Sequence, residues 1–170
     1  AVDIADYYLN TPLERPEYMR MTRKQVSQAI IDEYGYEDYF INDMLYFQVN
    51  KGMYGLPQAG LLAQNRLIAH IAQHGYTQSD VVPCLFSHAT NGVTFDLVVD
   101  NFGIKYTNTE GRDHFLEILR LLYNITVDMI NPTYLGMTIA HDKVAQTITC
   151  SMPGYIEKVL TRFRAWAGTK

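Results

Sequence analysis

Apolar residues recur at helical spacing in several stretches of the chain. Phe115, Ile118, Leu119 and Leu122 fall at i, i+3, i+4 and i+7. Thr107-x-x-Glu110 just ahead of them has the form of a capping box, which satisfies orphan N–H groups at a helix start. Ile156, Val159, Leu160 and Phe163 repeat the pattern, with Pro153 near the first turn, where a missing N–H costs nothing. Leu61, Leu67, Ile68 and Ile71 predict a third helix from about Leu61 to His74, ended by Gly75 in a left-handed conformation. Val26, Ala29, Ile30 and Tyr34 outline a weaker one between Thr22 and Gly35.

Between them lie short runs rich in β-formers: Met44–Val49, Val93–Val99, Phe102–Tyr106, Tyr134–Ile139 and Val144–Cys150, with Ala1–Ala5 reading as the interior of a strand. His141-Asp142-Lys143 is a polar turn that joins the last pair into a hairpin. Asp100-Asn101 is a two-residue gap of types that tolerate positive φ, as tight hairpin turns require. Strands mixed with helices, but without regular β-α-β alternation, predict an α+β fold: an antiparallel sheet with helices packed on one face. No repeat, low-complexity tract or Gly/Ser/Pro-rich linker divides the 170 residues, so the expectation is one domain over 1–170.

Composition narrows the classes. With 48% hydrophobic and 19% charged residues the chain is globular rather than disordered. No apolar run approaches the roughly 18 residues of a membrane span, and the acidic opening is unlike a secretory leader, so an intracellular protein with no membrane partner is expected. Cys84 and Cys150 are too few for a disulfide scaffold or zinc site and read as reduced thiols. The net charge of −4 argues against gripping nucleic acid by bulk charge. Its distribution is uneven: residues 1–50 carry nine acids against four bases, whereas residues 141–170 carry five bases against two acids. One end suits cations and the other a polyanion.

The stretch that carries chemistry is Leu97-Val98-Val99-Asp100-Asn101-Phe102-Gly103, an apolar strand delivering a carboxylate and a carboxamide to a hairpin tip. With Asp3 and Asp6 of the opening strand it suggests carboxylates from two strand ends meeting around magnesium, which prefers oxygen ligands and keeps substrate phosphates among them. Two such ions can stabilise both the attacking and the leaving oxygen of phosphoryl transfer. By spacing alone an ordinary hairpin turn explains the same residues.

The order of motifs resembles the reverse transcriptases of copia-type retrotransposons. It runs from Asp3-Ile4-Ala5-Asp6-Tyr7-Tyr8-Leu9 through Tyr18-Met19, Lys51-Gly52-Met53-Tyr54-Gly55-Leu56-Pro57-Gln58-Ala59-Gly60 and Val98-Val99-Asp100-Asn101 to Tyr134-Leu135-Gly136-Met137-Thr138-Ile139 and Tyr155-Ile156-Glu157-Lys158. The resemblance implies a polymerase palm with part of the fingers, and an upstream fingers region, thumb and ribonuclease H that lie outside this stretch. It implies RNA-directed DNA synthesis from deoxynucleoside triphosphates on an RNA or DNA template-primer. The setting would be the element's Pol polyprotein and its cytoplasmic virus-like particle.

Asp3 and Asp100 match the metal-binding aspartates, which would hold two Mg2+ ions, or Mn2+ in their stead. Those ions would activate the primer 3′-hydroxyl and neutralise the triphosphate. Asp6 and the backbone N–H of Tyr7 match positions near the triphosphate, and Tyr8 the aromatic beneath the deoxyribose. Gln58 matches the glutamine near sugar and base, and Gly136 and Met137 the hairpin that grips the primer.

Three residues depart from that pattern. Asn101 stands where the family has a second carboxylate, which weakens the metal site and predicts a crippled catalyst. Tyr7 replaces a small residue, so its bulk is expected to crowd the nucleotide. Asp96 puts a charge inside an apolar strand and, if buried without a partner, destabilises it. The five histidines show no ligand spacing and are expected at surfaces or caps. Tyr34, Tyr36 and Tyr39 lack adjacent cations and are expected to pack rather than stack bases. Lys158, Arg162, Arg164 and Lys170 fit either phosphate contact or a solvated helix face. Two rival readings remain: a non-catalytic palm-fold module that binds protein or nucleic acid, and a metal-dependent nuclease or phosphatase. The latter leaves Tyr8 and Gln58 without a role.

Overall fold

A computed structural model describes residues 1–129 and 133–168. In chain order its elements are β1 (Val2–Ile4), β2 (Pro12–Thr22), α1 (Gln28–Tyr34), β3 (Met44–Lys51), α2 (Ala59–Ala72), β4 (Tyr76–Gln78) and β5 (Leu85–His88). They continue with β6 (Val93–Val98), β7 (Asn101–Tyr106), α3 (Thr109–Arg120), β8 (Ile125–Val127), β9 (Thr133–Tyr134), β10 (Met137–Asp142), β11 (Thr147–Ser151) and α4 (Pro153–Ala167). The described pairings are antiparallel, so the α+β class holds. The chain divides into two compact units, one of Ala1–Ala5 with Ala69–Lys170 and one of Asp6–Ile68.

The larger unit contains a sheet in the order β4-β5-β6-β7-β1-β8. Alternation assigns its faces. Val93, Phe95 and Leu97 of β6, Phe102 of β7, and Val2 and Ile4 of β1 are buried, and α3 packs against β6 and β7. The core there is aromatic: Phe95 lies 4.5 Å from Phe115 and 5.1 Å from Phe86 between ring centroids, and Tyr76 lies 5.1 Å from Phe115. A second sheet in the same unit, β11-β10-β9, is a hairpin with one short added strand. The smaller unit pairs β2 with β3 and covers that ribbon with α1 and the turn over Tyr36–Tyr39. Val26, Ile31 and Leu45 form its core, with Met21, Tyr36, Phe40 and Phe47 packed around them.

Several boundaries differ from expectation for local reasons. The N-cap of α3 is Asn108, whose side chain accepts from the Gly111 N–H at 2.7 Å, rather than Thr107. The central hairpin turns at Val99-Asp100, one residue earlier than expected, because Asn101 pairs with Val98 and Val99 takes φ +59°. The run Tyr134–Ile139 is two strands, since Leu135 and Gly136 both take positive φ and form a tight turn. The last hairpin turns after Asp142, whose carboxylate accepts the Val144 and Ala145 N–H groups. β2 went unpredicted because Glu14, Arg15, Pro16 and Glu17 mask it, and a bulge interrupts its pairing between Pro12 and Glu17. The short strands β4, β5 and β8 give no periodic signal of their own.

The helix over Pro153–Ala167 forms with Pro153 in its first turn, but Ile156, Val159, Leu160 and Phe163 remain 45–60% exposed. Lys158, Arg162 and Arg164 belong to this helix, whereas Lys170 lies outside the described residues. No helix among the described residues is long and apolar enough to cross a membrane.

Candidate active site

The site is built by one strand pairing. β1 lies between β7 and β8, with Asp3 opposite Asn101 on one side and Thr126 on the other. The Ile4 N–H donates to the Asp100 carbonyl at 2.9 Å, which ties the opening strand to the tip of the central hairpin. Because Val2 and Ile4 enter the core, the alternation of β1 turns Asp3 to the opposite face of the sheet. Asn101, next to buried Phe102, is on that face too. Two segments about a hundred residues apart in sequence thus bring Asp3, Asp100 and Asn101 together.

Their electrostatics follow from this placement. Partial burial, and then the negative charge of Asp100, hold the Asp3 carboxyl above its ordinary value of 3.8. Asn101 Nδ2 donates to Asp100 Oδ1 at 2.9 Å, so the carboxamide uses one carboxylate oxygen where a second acid would add charge. Val99 at the tip holds a conformation that β-branched residues rarely adopt, a form of strain common at functional sites. No group of three or more His, Cys, Asp or Glu side chains that could hold a metal occurs among the described residues. The side chains that could hold a divalent ion here are Asp3 and Asp100, with the Asn101 amide oxygen beside them, all hard oxygen donors of the kind Mg2+ and Mn2+ take.

Asp6, Tyr7, Tyr8 and Gln58 belong to the smaller unit. Asp6 is exposed, in a turn at φ +53°. The Tyr7 side chain is 2% exposed, so its bulk enters the protein interior. Tyr8 is half-buried and meets Tyr54 edge-on at 5.0 Å. A side chain at Gly60 would come within 3.6 Å of the Tyr8 hydroxyl, and a Cβ at Gly52 within 2.7 Å of its carbonyl, so two glycines shape the space around this tyrosine. Gln58 Nε2 donates to Glu17 Oε1 at 2.9 Å, at the edge of a cleft of about 310 Å3 lined by Leu13, Glu14, Arg15, Glu17 and Leu62. Glu17 was not foreseen as its partner.

Gly136 and Met137 lie at the β9–β10 turn of the larger unit. That turn is tied down by contacts the sequence did not disclose. Asp96 lies opposite Gly103 in the β6–β7 register, and Tyr134 Oη donates to Asp96 Oδ2, so the odd charge in the strand has a partner. Burial, then the hydrogen bond to Asp96 and its charge, push the Tyr134 hydroxyl far above the ordinary tyrosine value, while a hydrogen bond from the Gly103 backbone acts in the opposite sense. The sequence signal that pointed here was the acid at position 96 facing a glycine across the hairpin.

His88 Nδ1 accepts the Thr90 and Asn91 N–H groups, and His70 Nε2 contacts the Ile118 carbonyl at 2.6 Å. Tyr36 packs on Phe47, whereas Tyr34 and Tyr39 are exposed. Comparisons of the chain with protein-family models, curated proteins and solved structures return no match.

Proposed function

We propose that the chain is the palm-containing part of a copia-type retrotransposon reverse transcriptase, with some of the fingers. The parent enzyme would extend a primer on an RNA or DNA template by metal-assisted nucleotidyl transfer. The observation that carries this reading is the meeting of Asp3 with Asp100 through the β1–β7 pairing. The same two residues match the family's metal-binding aspartates in the sequence resemblance. When bound, a divalent ion would neutralise triphosphate charge and lower the pKa of the attacking hydroxyl. Asp3 and Asp100 would hold it, and Asn101 would orient Asp100.

Asn101 favours a second reading, a non-catalytic palm-fold module that binds protein or nucleic acid. Its amide hydrogen-bonds Asp100 and contributes no charge of its own. Titration of the chain with MnCl2 and then a deoxynucleoside triphosphate, followed by calorimetry, separates the two. The polymerase reading expects metal-dependent nucleotide binding that Asp3→Ala and Asp100→Ala each abolish. Nucleotide binding indifferent to both variants would overturn it.

A further inference from the structure

We propose that Asp96 and Tyr134 form a latch across Gly103 that fixes the β9–β10–β11 hairpin to the large sheet, and so holds the Gly136-Met137 turn at a set distance from Asp3 and Asp100. The consequence for catalysis rests on the polymerase reading, while the latch itself rests on geometry alone. Asp96 alternates with buried Phe95 and Leu97, so it emerges on the same face as Asp3 and Asn101. Gly103 is two residues from Asn101 along β7, about 7 Å at roughly 3.4 Å per residue. The docking point is thus close to the carboxylates.

The fit depends on a missing side chain. A Cβ at Gly103 would lie 2.3 Å from Asp96 Oδ1 and 3.2 Å from Tyr134 Cε1, so a side chain there would displace the carboxylate from its place beside the phenol. Tyr134 is 8% exposed, although its neighbours Thr133 and Leu135 are exposed. The other strands of the hairpin sheet are largely exposed: every residue of β11, and Thr138, Ala140, His141 and Asp142 of β10. Tyr134 is therefore the anchor of an otherwise lightly held element. A hydrogen bond to a charged group is roughly twice as strong as one between neutral groups, enough to decide whether such an element stays docked.

The test places two spin labels on the full chain, one on exposed Cys150 of β11 and one on Ser87→Cys of β5, in a Cys84→Ser background. Pulsed electron resonance then reads the distance between hairpin and sheet. A narrow distribution is expected for the unaltered pair, at least a doubling of its width in Tyr134→Phe, and an intermediate width in Asp96→Asn, whose amide oxygen still accepts. Amide exchange of β6 and β7 should stay the same in all three. An unchanged width in Tyr134→Phe overturns the latch, as does faster exchange of β6 and β7 in step with it, which would mark a brace of the core. Affinity for a DNA primer annealed to an RNA template, read by anisotropy in MnCl2, is expected to fall about tenfold in Tyr134→Phe with Mn2+ affinity unchanged. A wider distribution with unaltered hybrid affinity would retain the latch and remove its role in holding a primer. Absence of hybrid and Mn2+ binding in the unaltered chain would remove the polymerase reading while the distance measurement still decides the latch.

Discussion

Replacing Asn101 by Asp restores the carboxylate that the polymerase pattern has at that position, and its effect on stability should reverse sign with metal. Without metal the change removes the 2.9 Å hydrogen bond to Asp100. A bond to a charged group is worth about 1.5–3 kcal/mol, and this one, half exposed, belongs at the lower end. The change also adds a third negative charge beside Asp100 and across from Asp3, at a cost of about 1–2 kcal/mol for partly solvated neighbours. The total, about 3 kcal/mol, corresponds to a fall in Tm of roughly 6–12 °C for a chain of this size.

With metal the balance shifts. If the third carboxylate tightens Mn2+ binding about a hundredfold, linkage returns about 2.7 kcal/mol relative to the unaltered chain at the same metal concentration. Scanning calorimetry of Asn101→Asp and the unaltered chain, in EDTA and in saturating MnCl2, should therefore show a wide gap in Tm that closes or inverts with metal. The reasoning is refuted if Asn101→Asp is as stable as the parent in EDTA, or if its Mn2+ shift equals that of the unaltered chain.

Two further outcomes follow from the same contacts. Asp3 has a folded-state pKa above 3.8, so the metal-free fold carries a penalty that is fully present above the folded value and gone below 3.8. Asp3→Asn should consequently be more stable than the parent at neutral pH in EDTA, with the difference vanishing as pH falls through the folded value, and denaturant melts across the acid range would show it. Gly103→Ala drives a methyl into Asp96 and Tyr134; at about 1–3 kcal/mol for overpacking plus a weakened hydrogen bond, it should lower Tm by roughly 4–12 °C, measurable by calorimetry. A neutral result would mean that the carboxylate and phenol have room to separate.

What could be read from the residues was whatever depends on near neighbours. The apolar spacing of α2, α3 and α4, the caps and turns beside them, and the apolar runs of β3, β6 and β7 express backbone preference and, except in α4, whose apolar residues stay exposed, one-sided burial. Both act over a few residues, so these elements stand close to where they were expected. Asp3 and Asp100 were legible as candidates because each carboxylate stands out against apolar neighbours, one inside the opening strand and one at a hairpin tip, although nothing local says that they meet.

Tertiary structure decided the rest, because its causes are contacts between distant segments. Pairing of β1 with β7 and β8 brings Asp3 against the hairpin tip, and the alternation of buried Val2 and Ile4 chooses the face on which it stands. Tyr7 turned inward because burial of its ring outweighs any preference a motif suggests. Asp96 looked like an error in a strand until Tyr134 arrived from 38 residues away, since a charge is tolerated on a half-buried face only where a donor reaches it. Local periodicity can announce such a residue as out of place, but its partner is supplied by the packing of one sheet on another.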